Sequence, residues 1–301
     1  MQASEILMIE PVHFAFNHET AVNNTFQKNI TGGVQEKALK EFTDFASLLR
    51  KNGISVTVIK DTAAPHTPDA IFPNNWISFH EDNSLFLYPM FAVNRRLERK
   101  EHVMKMIREK FKISTVHDLS HYEHADIFLE GTGSMVLDRA NKIAYAAISP
   151  RTNLAILLEF CHICNYAPVS FYSTGSAGHA IYHSNVMMCM ADAYVVICLD
   201  TIRSQDDRQK LFQLFQKTKK EIIEISFEQL EHFAGNMLQL QNGAGELLLL
   251  MSTQAFQSLS QVQVALLEKY NRILHSPLNT IEACGGGSAR CMIAEIFNDR
   301  L

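Results

Sequence analysis

The chain has 301 residues, of which 47% are hydrophobic and 20% charged, and its formal net charge is −5. This is the composition of a globular protein with a sizeable core, and the negative balance gives no support to nucleic-acid binding. The N-terminus lacks a basic segment followed by a long apolar run, and no apolar run reaches the length of a membrane span. We therefore expect a cytoplasmic protein with reduced cysteines and with neither nucleic acid nor membrane as a partner.

The first 60 residues predict a strand, a helix and a second strand. Residues 5–12 form a short apolar run, and residues 36–49 place apolar side chains at helical spacing. Asn52 and Gly53 end this helix, and residues 54–59 alternate as a strand. This opening is typical of an α/β protein.

Four later segments repeat one pattern, in which a hairpin is followed by a helix. The predicted hairpin strands are 77–80 with 84–88, 134–137 with 143–148, 186–190 with 194–199, and 237–240 with 246–251. The predicted helices are 95–110, 153–161, 205–217 and 253–270. A polar residue precedes each hairpin, and a last one stands near the C-terminus, at a period of roughly 55 residues. These five residues are Asn75, Glu130, His183, Asn236 and Cys291.

A sheet-and-helix unit that repeats in this way can close around an axis. The polar residue at the start of each unit would then point toward that axis. The repeat therefore predicts one central site, which contains a cysteine, a histidine, a glutamate and two asparagines.

The stretch 284–297, CGGGSARCMIAEIF, predicts a reactive cysteine. Three consecutive glycines allow a close backbone approach or positive φ angles, and we expect a mobile, open turn that brings Cys291 into a cleft. The alternative is a glycine turn before a buried strand with an inert thiol. Cys161 and Cys164 are interpreted as core residues of a helix, because no second cysteine pair exists to complete a zinc site.

The central residues together indicate nucleophilic catalysis. The Cys291 thiolate attacks an electrophilic carbon, and His183 activates the thiol and protonates the leaving amine. Glu130 can hydrogen-bond a substrate nitrogen and move protons between that nitrogen and water. Each of these residues alone has an ordinary structural explanation, and their joint occurrence at the repeat period favours a catalytic role.

Five motifs carry a resemblance to a known superfamily: PDAIFPNNW (68–76), LEGTGSMVLDR (129–139), SPRTN (149–153), YHSNVMM (182–188) and GGGSARC (285–291). In this order they resemble the guanidino-group modifying superfamily of arginine deiminases, dimethylarginine hydrolases, agmatine deiminases and amidinotransferases. Within it, the chain looks most like the amidinotransferase-like branch of citrulline-utilisation hydrolases. The resemblance implies a single catalytic domain, residues 1–301, with an α/β fold. That fold is a five-fold pseudosymmetric α/β propeller of ββαβ repeats, in agreement with the period.

The resemblance also assigns residues. Cys291 matches the nucleophile, His183 the catalytic histidine, and Glu130 the acid of the EGG motif. Three further matches concern substrate binding. Asp69 is the first acid of the PD-x-x-F segment, Arg151 matches an arginine that holds a substrate carboxylate, and Arg96 is expected to be a second carboxylate clamp.

Several positions depart from the superfamily pattern toward neutral amides. Asn74 and Asn75 stand where dimethylarginine hydrolases carry two acids, and Asn185 stands where arginine and agmatine deiminases carry one. A guanidinium is donor-only and is best bound by carboxylates, whereas an amide pairs well with a neutral urea. We therefore expect a ureido substrate, citrulline, which would be hydrolysed to ornithine, carbon dioxide and ammonia.

Three alternatives stay open: an arginine or methylarginine deiminase-type hydrolase, an amidinotransferase, and a non-catalytic propeller that binds an amino acid. A pure binding module has no need of the thiol. We expect no metal and no organic cofactor, because the histidines do not cluster at ligand spacing. The expected partner is a small amino-acid substrate, and by analogy the protein can form a homodimer.

Overall fold

The computed structural model describes residues 2–30 and 32–301. Within these residues the strands form five sheets of three strands each. The strands are β1 (Glu5–Glu10), β2 (Ser55–Lys60), β3 (Ile77–Phe79), β4 (Ser84–Leu87), β5 (Thr115–Asp118), β6 (Met135–Asp138), β7 (Ile143–Ile148), β8 (Ala167–Tyr172), β9 (Met188–Met190), β10 (Tyr194–Ile197), β11 (Glu221–Glu224), β12 (Leu238–Gln241), β13 (Leu247–Ser252), β14 (Arg272–Ser276) and β15 (Ala294–Ile296).

Helices connect these strands, and short 3-10 turns lie at Pro73–Asn75, Ser120–Ala125 and Leu199–Thr201. The α-helices are α1 (His18–Ala21), α2 (Val34–Lys51), α3 (Val93–Arg96), α4 (Glu101–Lys110), α5 (Gly131–Ser134), α6 (Leu154–Cys164), α7 (Ser184–Met187), α8 (Gln205–Lys217), α9 (Phe227–Glu231), α10 (Thr253–Ser258), α11 (Gln261–Glu268) and α12 (Asn279–Gly285). No helix of the described chain is long and apolar enough to cross a bilayer.

Four of the sheets are continuous in sequence and have one topology. They are β3–β4–β5, β6–β7–β8, β9–β10–β11 and β12–β13–β14. In each, the first two strands form an antiparallel hairpin, and the third lies parallel to the second. Because a parallel partner can be reached only by a crossover, a helical segment precedes the third strand of each sheet. This is the ββαβ repeat predicted from the sequence.

The fifth sheet joins the two ends of the chain. Its order is β15–β1–β2, with β15 antiparallel to β1 and β1 parallel to β2. Leu7 lies opposite Ala294 in the first pair. The crossover helix α2 buries one apolar face, which includes Phe42, Phe45 and Leu49. The predicted opening of the chain is therefore the second half of a unit whose first strand comes from the C-terminal end.

Two predicted helices are each divided in the structure. The segment 95–110 forms α3 and α4, and the break holds Glu98, which pairs with Arg95, and Lys100, which pairs with Asp61. The segment 253–270 forms α10 and α11, because a capping box at Ser260 starts a new helix. The apolar periodicity continues through both breaks and therefore does not predict where the helices end. Residues 186–187, predicted as strand, belong to the single turn of α7.

Candidate active site

Each of the five sheets is preceded by a turn that carries one buried polar residue at the centre of the ring. The five residues are Asn75, Glu130, His183, Asn236 and Cys291, and none is more than 3% exposed. Close backbone packing at these turns requires glycine. A Cβ on Gly131, whose φ is +47°, would lie 2.3 Å from the carbonyl oxygen of Asn74. The repeat thus brings together the residues that it predicted to converge.

The turn that carries Cys291 is held in place rather than open. Helix α12 ends at Gly285, and Gly286 takes a left-handed conformation. The Gly286 carbonyl accepts a 2.6 Å hydrogen bond from the Tyr182 hydroxyl. The Ser288 hydroxyl donates to Glu282 at 2.5 Å, and the Cys291 amide donates to the Ser288 carbonyl at 2.9 Å. The expectation of a mobile turn therefore finds no support, whereas the glycines do provide the close approach.

The sulfur of Cys291 is contacted by two side-chain amides. The Nδ2 atoms of Asn236 and Asn185 lie 3.3 and 3.6 Å from Sγ. Burial raises the pKa of the Cys291 thiol, and the hydrogen bonds and the nearby Arg290 charge oppose that rise. The thiol is thus a buried group whose ionisation depends on these polar contacts.

His183 and Glu130 form a buried hydrogen-bonded pair with a Nε2–Oε2 distance of 2.8 Å. Burial alone would raise the pKa of Glu130, but the Arg151 charge and the His183 hydrogen bond lower it to about 2. Burial lowers the pKa of His183 to about 4, although Glu130 opposes this effect. At neutral pH the pair is therefore a carboxylate and a neutral imidazole. An ionised carboxylate only accepts, so Nε2 carries the proton and Nδ1 is free to take one.

Asp69 presents one free carboxylate oxygen. Its Oδ2 accepts hydrogen bonds from Asn17 Nδ2 at 2.7 Å and Thr20 Oγ1 at 3.2 Å, and lies 4.0 Å from Arg95 Nε. Its Oδ1 is buried and has no partner in the described part of the chain. Burial raises the pKa of this carboxyl group. A bound N–H donor would satisfy Oδ1 and favour the ionised form.

Arg151 lines one cavity together with Asp69, His183 and Cys291, and it is almost fully buried. Its Nη2 donates to the Thr20 carbonyl at 2.7 Å and its Nε to Asn23 Oδ1 at 2.8 Å. Its Nη1 lies 3.5 Å from Glu130 Oε2. The guanidinium also lies 4.9 Å from the centre of the Tyr182 ring. A cation held this firmly is suited to fixing an anionic group of a ligand.

The structure corrects the prediction for Arg96, because the neighbouring Arg95 enters the cavity instead. Arg96 is half-buried and donates to the carbonyl of Met90 outside the cavity. Arg95 is buried and forms a two-point ion pair with Glu98, at 2.8 and 3.0 Å. It also donates to Asn75 Oδ1 at 2.7 Å. Adjacent residues on a helical turn face different directions, so the sequence alone did not show which arginine lies inside.

The three predicted amide positions have different surroundings. Asn75 lines the cavity, and its Nδ2 is buried with no partner among the described residues. Asn185 contacts the sulfur, and its Oδ1 lacks a partner within residues 2–30 and 32–301. Asn74 is fully buried with both side-chain polar atoms unpaired in the described chain, but it is not among the residues that line the cavity.

These residues surround one narrow cavity. Its lining is Thr20, Asn24, Asp69, Phe72, Asn75, Arg95, Arg151, Tyr182, His183, Gly285, Gly286, Gly287 and Cys291. Sequence reasoning missed Arg95, Thr20 and Asn24. The last two come from the irregular N-terminal segment around α1, which has no repeat position or motif to mark it. Within the described residues, no group of three or more His, Cys, Asp or Glu side chains is arranged to hold a metal ion.

The ring of five three-stranded sheets around this cavity is the α/β propeller of the guanidino-group modifying superfamily, as the sequence predicted. The chain belongs to the family described as N,N dimethylarginine dimethylhydrolase, eukaryotic, whose model matches residues 10–298. The citrulline-utilisation branch within the superfamily stays a prediction. A comparison with curated proteins finds no significant match.

Solved structures show the same fold at low sequence identity. Apo ArgZ, an arginine dihydrolase from the ornithine–ammonia cycle in cyanobacteria, superposes with a TM-score of 0.78 at 18% identity. The match covers 99% of this chain and 41% of that one, so the chain spans about two fifths of the length of ArgZ. The substrate-bound N-terminal domain of ArgZ gives 0.76 at 18% identity, covering 97% and 99%. A citrulline complex of a Pseudomonas aeruginosa dimethylarginine hydrolase gives 0.69 at 12% identity, with both chains fully covered.

Proposed function

We propose that this protein is a cysteine hydrolase that cleaves a C–N bond at the ureido or guanidino carbon of an amino acid. One observation carries the proposal: a buried thiol and a neutral histidine paired with a carboxylate line the same cavity as two arginines. The family of dimethylarginine hydrolases and the arginine dihydrolase fold relatives support this reaction class.

The ends of an amino-acid substrate have clear partners in the cavity. Arg95 and Arg151 are the cations available for the α-carboxylate. Asp69 Oδ1, which is unpaired within the described chain, is an acceptor for the α-ammonium or for an N–H of the side chain. These contacts would fix both ends of the substrate, and the reacting carbon would then be placed at Cys291.

For citrulline, the steps balance with one water. His183 takes the thiol proton, the sulfur attacks the ureido carbon, and the tetrahedral intermediate expels ammonia, which receives the proton from His183. The remaining thiocarbamate is hydrolysed by water, which releases the thiol and a carbamate of ornithine. The carbamate then loses carbon dioxide. Glu130 orients the imidazole and stabilises its protonated form.

Asn75 supports citrulline as the substrate. Because Arg95 can only donate, the amide oxygen of Asn75 must face it, and the amide N–H group is left for the ligand. A buried unpaired N–H donor costs free energy, and a ureido carbonyl would satisfy it. A guanidinium offers only donors and would leave it unpaired.

The charge count favours the second candidate, arginine or a methylated arginine. Three buried carboxylates, on Asp69, Glu98 and Glu130, face two buried guanidiniums, on Arg95 and Arg151. When all are ionised, one negative charge remains, and a cationic guanidinium would neutralise it. The family description points to the same candidate. Attack by Cys291 on the guanidino carbon would expel ammonia or a methylamine, and water would then release citrulline from the sulfur.

Product identification separates the two candidates. Purified protein is incubated with citrulline, arginine or dimethylarginine, and products are identified by mass spectrometry, with Cys291→Ser as the control. We expect ornithine from citrulline and none from the variant. Citrulline from either arginine compound would establish the second candidate. No turnover of any of the three would contradict the proposed substrate class.

We also infer a cytoplasmic location and, by analogy with other propellers, a homodimer. All six cysteines are free, which is compatible with the reducing cytoplasm. Fractionation of cells and light scattering of the purified protein test these two inferences.

A further inference from the structure

Asn236 is the one residue of the five central positions to which the proposed reaction gives no role. It precedes the fourth sheet as Asn75, Glu130 and His183 precede the first three. It is fully buried and lies against the sulfur of Cys291, with Nδ2 3.3 Å from Sγ. A polar side chain this deeply buried, in contact with the nucleophile, calls for a chemical explanation.

The orientation of the Asn236 amide is fixed by two backbone groups. Its Oδ1 accepts the Arg290 N–H at 3.1 Å, and its Nδ2 donates to the carbonyl of Asn185 at 2.9 Å. Rotation of the amide by 180° would place oxygen against oxygen at Asn185 and two donors against each other at Arg290. The second N–H of Nδ2 is therefore held toward the sulfur.

The contact suits an ionised sulfur better than a neutral one. The thiol can donate only weakly, to Asn236 Oδ1 at 3.7 Å, whereas a thiolate would accept the shorter contact from Nδ2. The side chains within hydrogen-bonding distance of Sγ in the described chain are the neutral amides of Asn236 and Asn185. His183 pairs with Glu130 and is not among them. The free protein thus meets a developing negative charge on the buried sulfur with fixed dipoles.

We propose that Asn236 is a catalytic residue that stabilises the Cys291 thiolate, both before attack and when the thiol leaves the covalent intermediate. This role rests on the proposed function, because it assumes that Cys291 is the nucleophile. The ionisation step needs no added reactant. The thiol proton is transferred to His183, and the negative charge stays on the sulfur, which accepts the hydrogen bond from Asn236 Nδ2.

The test measures thiol ionisation directly and needs no substrate. The rate of Cys291 alkylation by iodoacetamide is followed against pH in the wild type and in Asn236→Ala, with Cys291→Ser giving the background of the other cysteines. Asn271→Ala is the matched control, because Asn271 is also a buried, hydrogen-bonded asparagine but contacts Tyr194 and Gln239 instead of the sulfur.

We expect the alkylation midpoint to rise by about one pH unit or more in Asn236→Ala and to stay unchanged in Asn271→Ala. The kcat should fall about 10²–10³-fold, as for loss of one preorganised donor, with little change in KM. A folded Asn236→Ala protein with a wild-type midpoint would overturn the proposal.

If Asn236→Ala does not fold, the isosteric Asn236→Asp variant tests whether the Asn236 N–H stabilises the thiolate. It replaces the donor with an acceptor and should raise the midpoint further, so an unchanged or lowered midpoint would count against the role. A raised midpoint in a protein that hydrolyses none of the tested amino acids would support Asn236 while removing the proposed substrates. The two ideas can therefore fail separately.

Discussion

Substitution of Gly133 tests whether the side chains of Asn75 and His183 are held in fixed positions at the centre of the ring. It lies in the single turn of α5, and a Cβ at this position would be 2.4 Å from Asn75 Nδ2 and 2.8 Å from His183 Nδ1. Ordinary contacts begin at 3.4 Å, so in Gly133→Ala the amide must move by about 1.0 Å and the imidazole by about 0.6 Å. Neither side chain is free to move, because Arg95 holds the first and Glu130 the second.

The expected loss is kinetic. The backbone of Gly133 does not require positive φ. Overpacking by one methyl group costs about 1–3 kcal/mol, and the helical preference of alanine offsets up to about 1 kcal/mol of this, so the variant should fold with reduced stability. A displacement near 1 Å of catalytic groups costs about 10²-fold in rate. We therefore expect kcat/KM to fall about 10²-fold, which corresponds to about 2.7 kcal/mol in the activation free energy.

The assay compares kcat/KM of Gly133→Ala and Gly175→Ala for whichever of the three amino acids is turned over, with thermal unfolding as the check on folding. Gly175→Ala is the matched control, because its nearest atoms would lie at 3.8 Å and its φ is ordinary. A folded Gly133→Ala protein with wild-type kcat/KM would show that Asn75 and His183 are not held where the reaction needs them.

Three further predictions concern the free energy of unfolding, measured by urea denaturation. The pKa of His183 is lowered to about 4 in the folded protein. Its neutral imidazole therefore contributes fully to the free energy of unfolding above the unfolded pKa of about 6.5, and this contribution is lost as pH falls toward 4. Between pH 7 and 5 the wild type should lose about 2 kcal/mol more than His183→Gln, and equal losses would argue against a buried neutral imidazole. Burial raises the pKa of Glu282 to about 7, so its ionisation destabilises the fold as pH rises from about 4.5 through 7. Glu282→Gln should gain up to about 3 kcal/mol relative to wild type between pH 5 and 8, and no gain would mean that the carboxylate is well solvated. Arg95→Ala leaves the Glu98 carboxylate buried and unpaired and should cost about 3–5 kcal/mol. Arg96→Ala should cost less than about 1 kcal/mol, and equal effects of the two would contradict their different burial.

The architecture was predictable because the polar residue before each hairpin recurs at a nearly constant spacing. Asn75, Glu130 and His183 stand at equivalent places, and each starts a unit whose hairpin is also visible as alternating apolar residues. Such local patterns predict the structure correctly because each repeat is formed by segments that are neighbours in the sequence. The cavity residues that lie at repeat positions were found for the same reason.

Residues placed only by tertiary contacts were not predictable. Arg95 and Arg96 are adjacent, and only the buried ion pair with Glu98 determines which one faces the cavity. Thr20 enters the cavity from an irregular segment and holds Asp69 and Arg151, with no motif of its own. The pairing of β1 with β15 spans almost the whole chain and leaves no mark in either segment.

That pairing gives the protein an order of assembly. During synthesis β1 can pair with β2, but its other edge stays open until β15 has been made. Cys291, the proposed nucleophile, is synthesised just before β15, so it and the strand that closes the ring become available together. The cavity around His183 and Asp69 is therefore complete only after residues 291–296 have been synthesised. Before that point the chain lacks the proposed nucleophile, and the open edge of β1 is the surface that chaperones would have to protect.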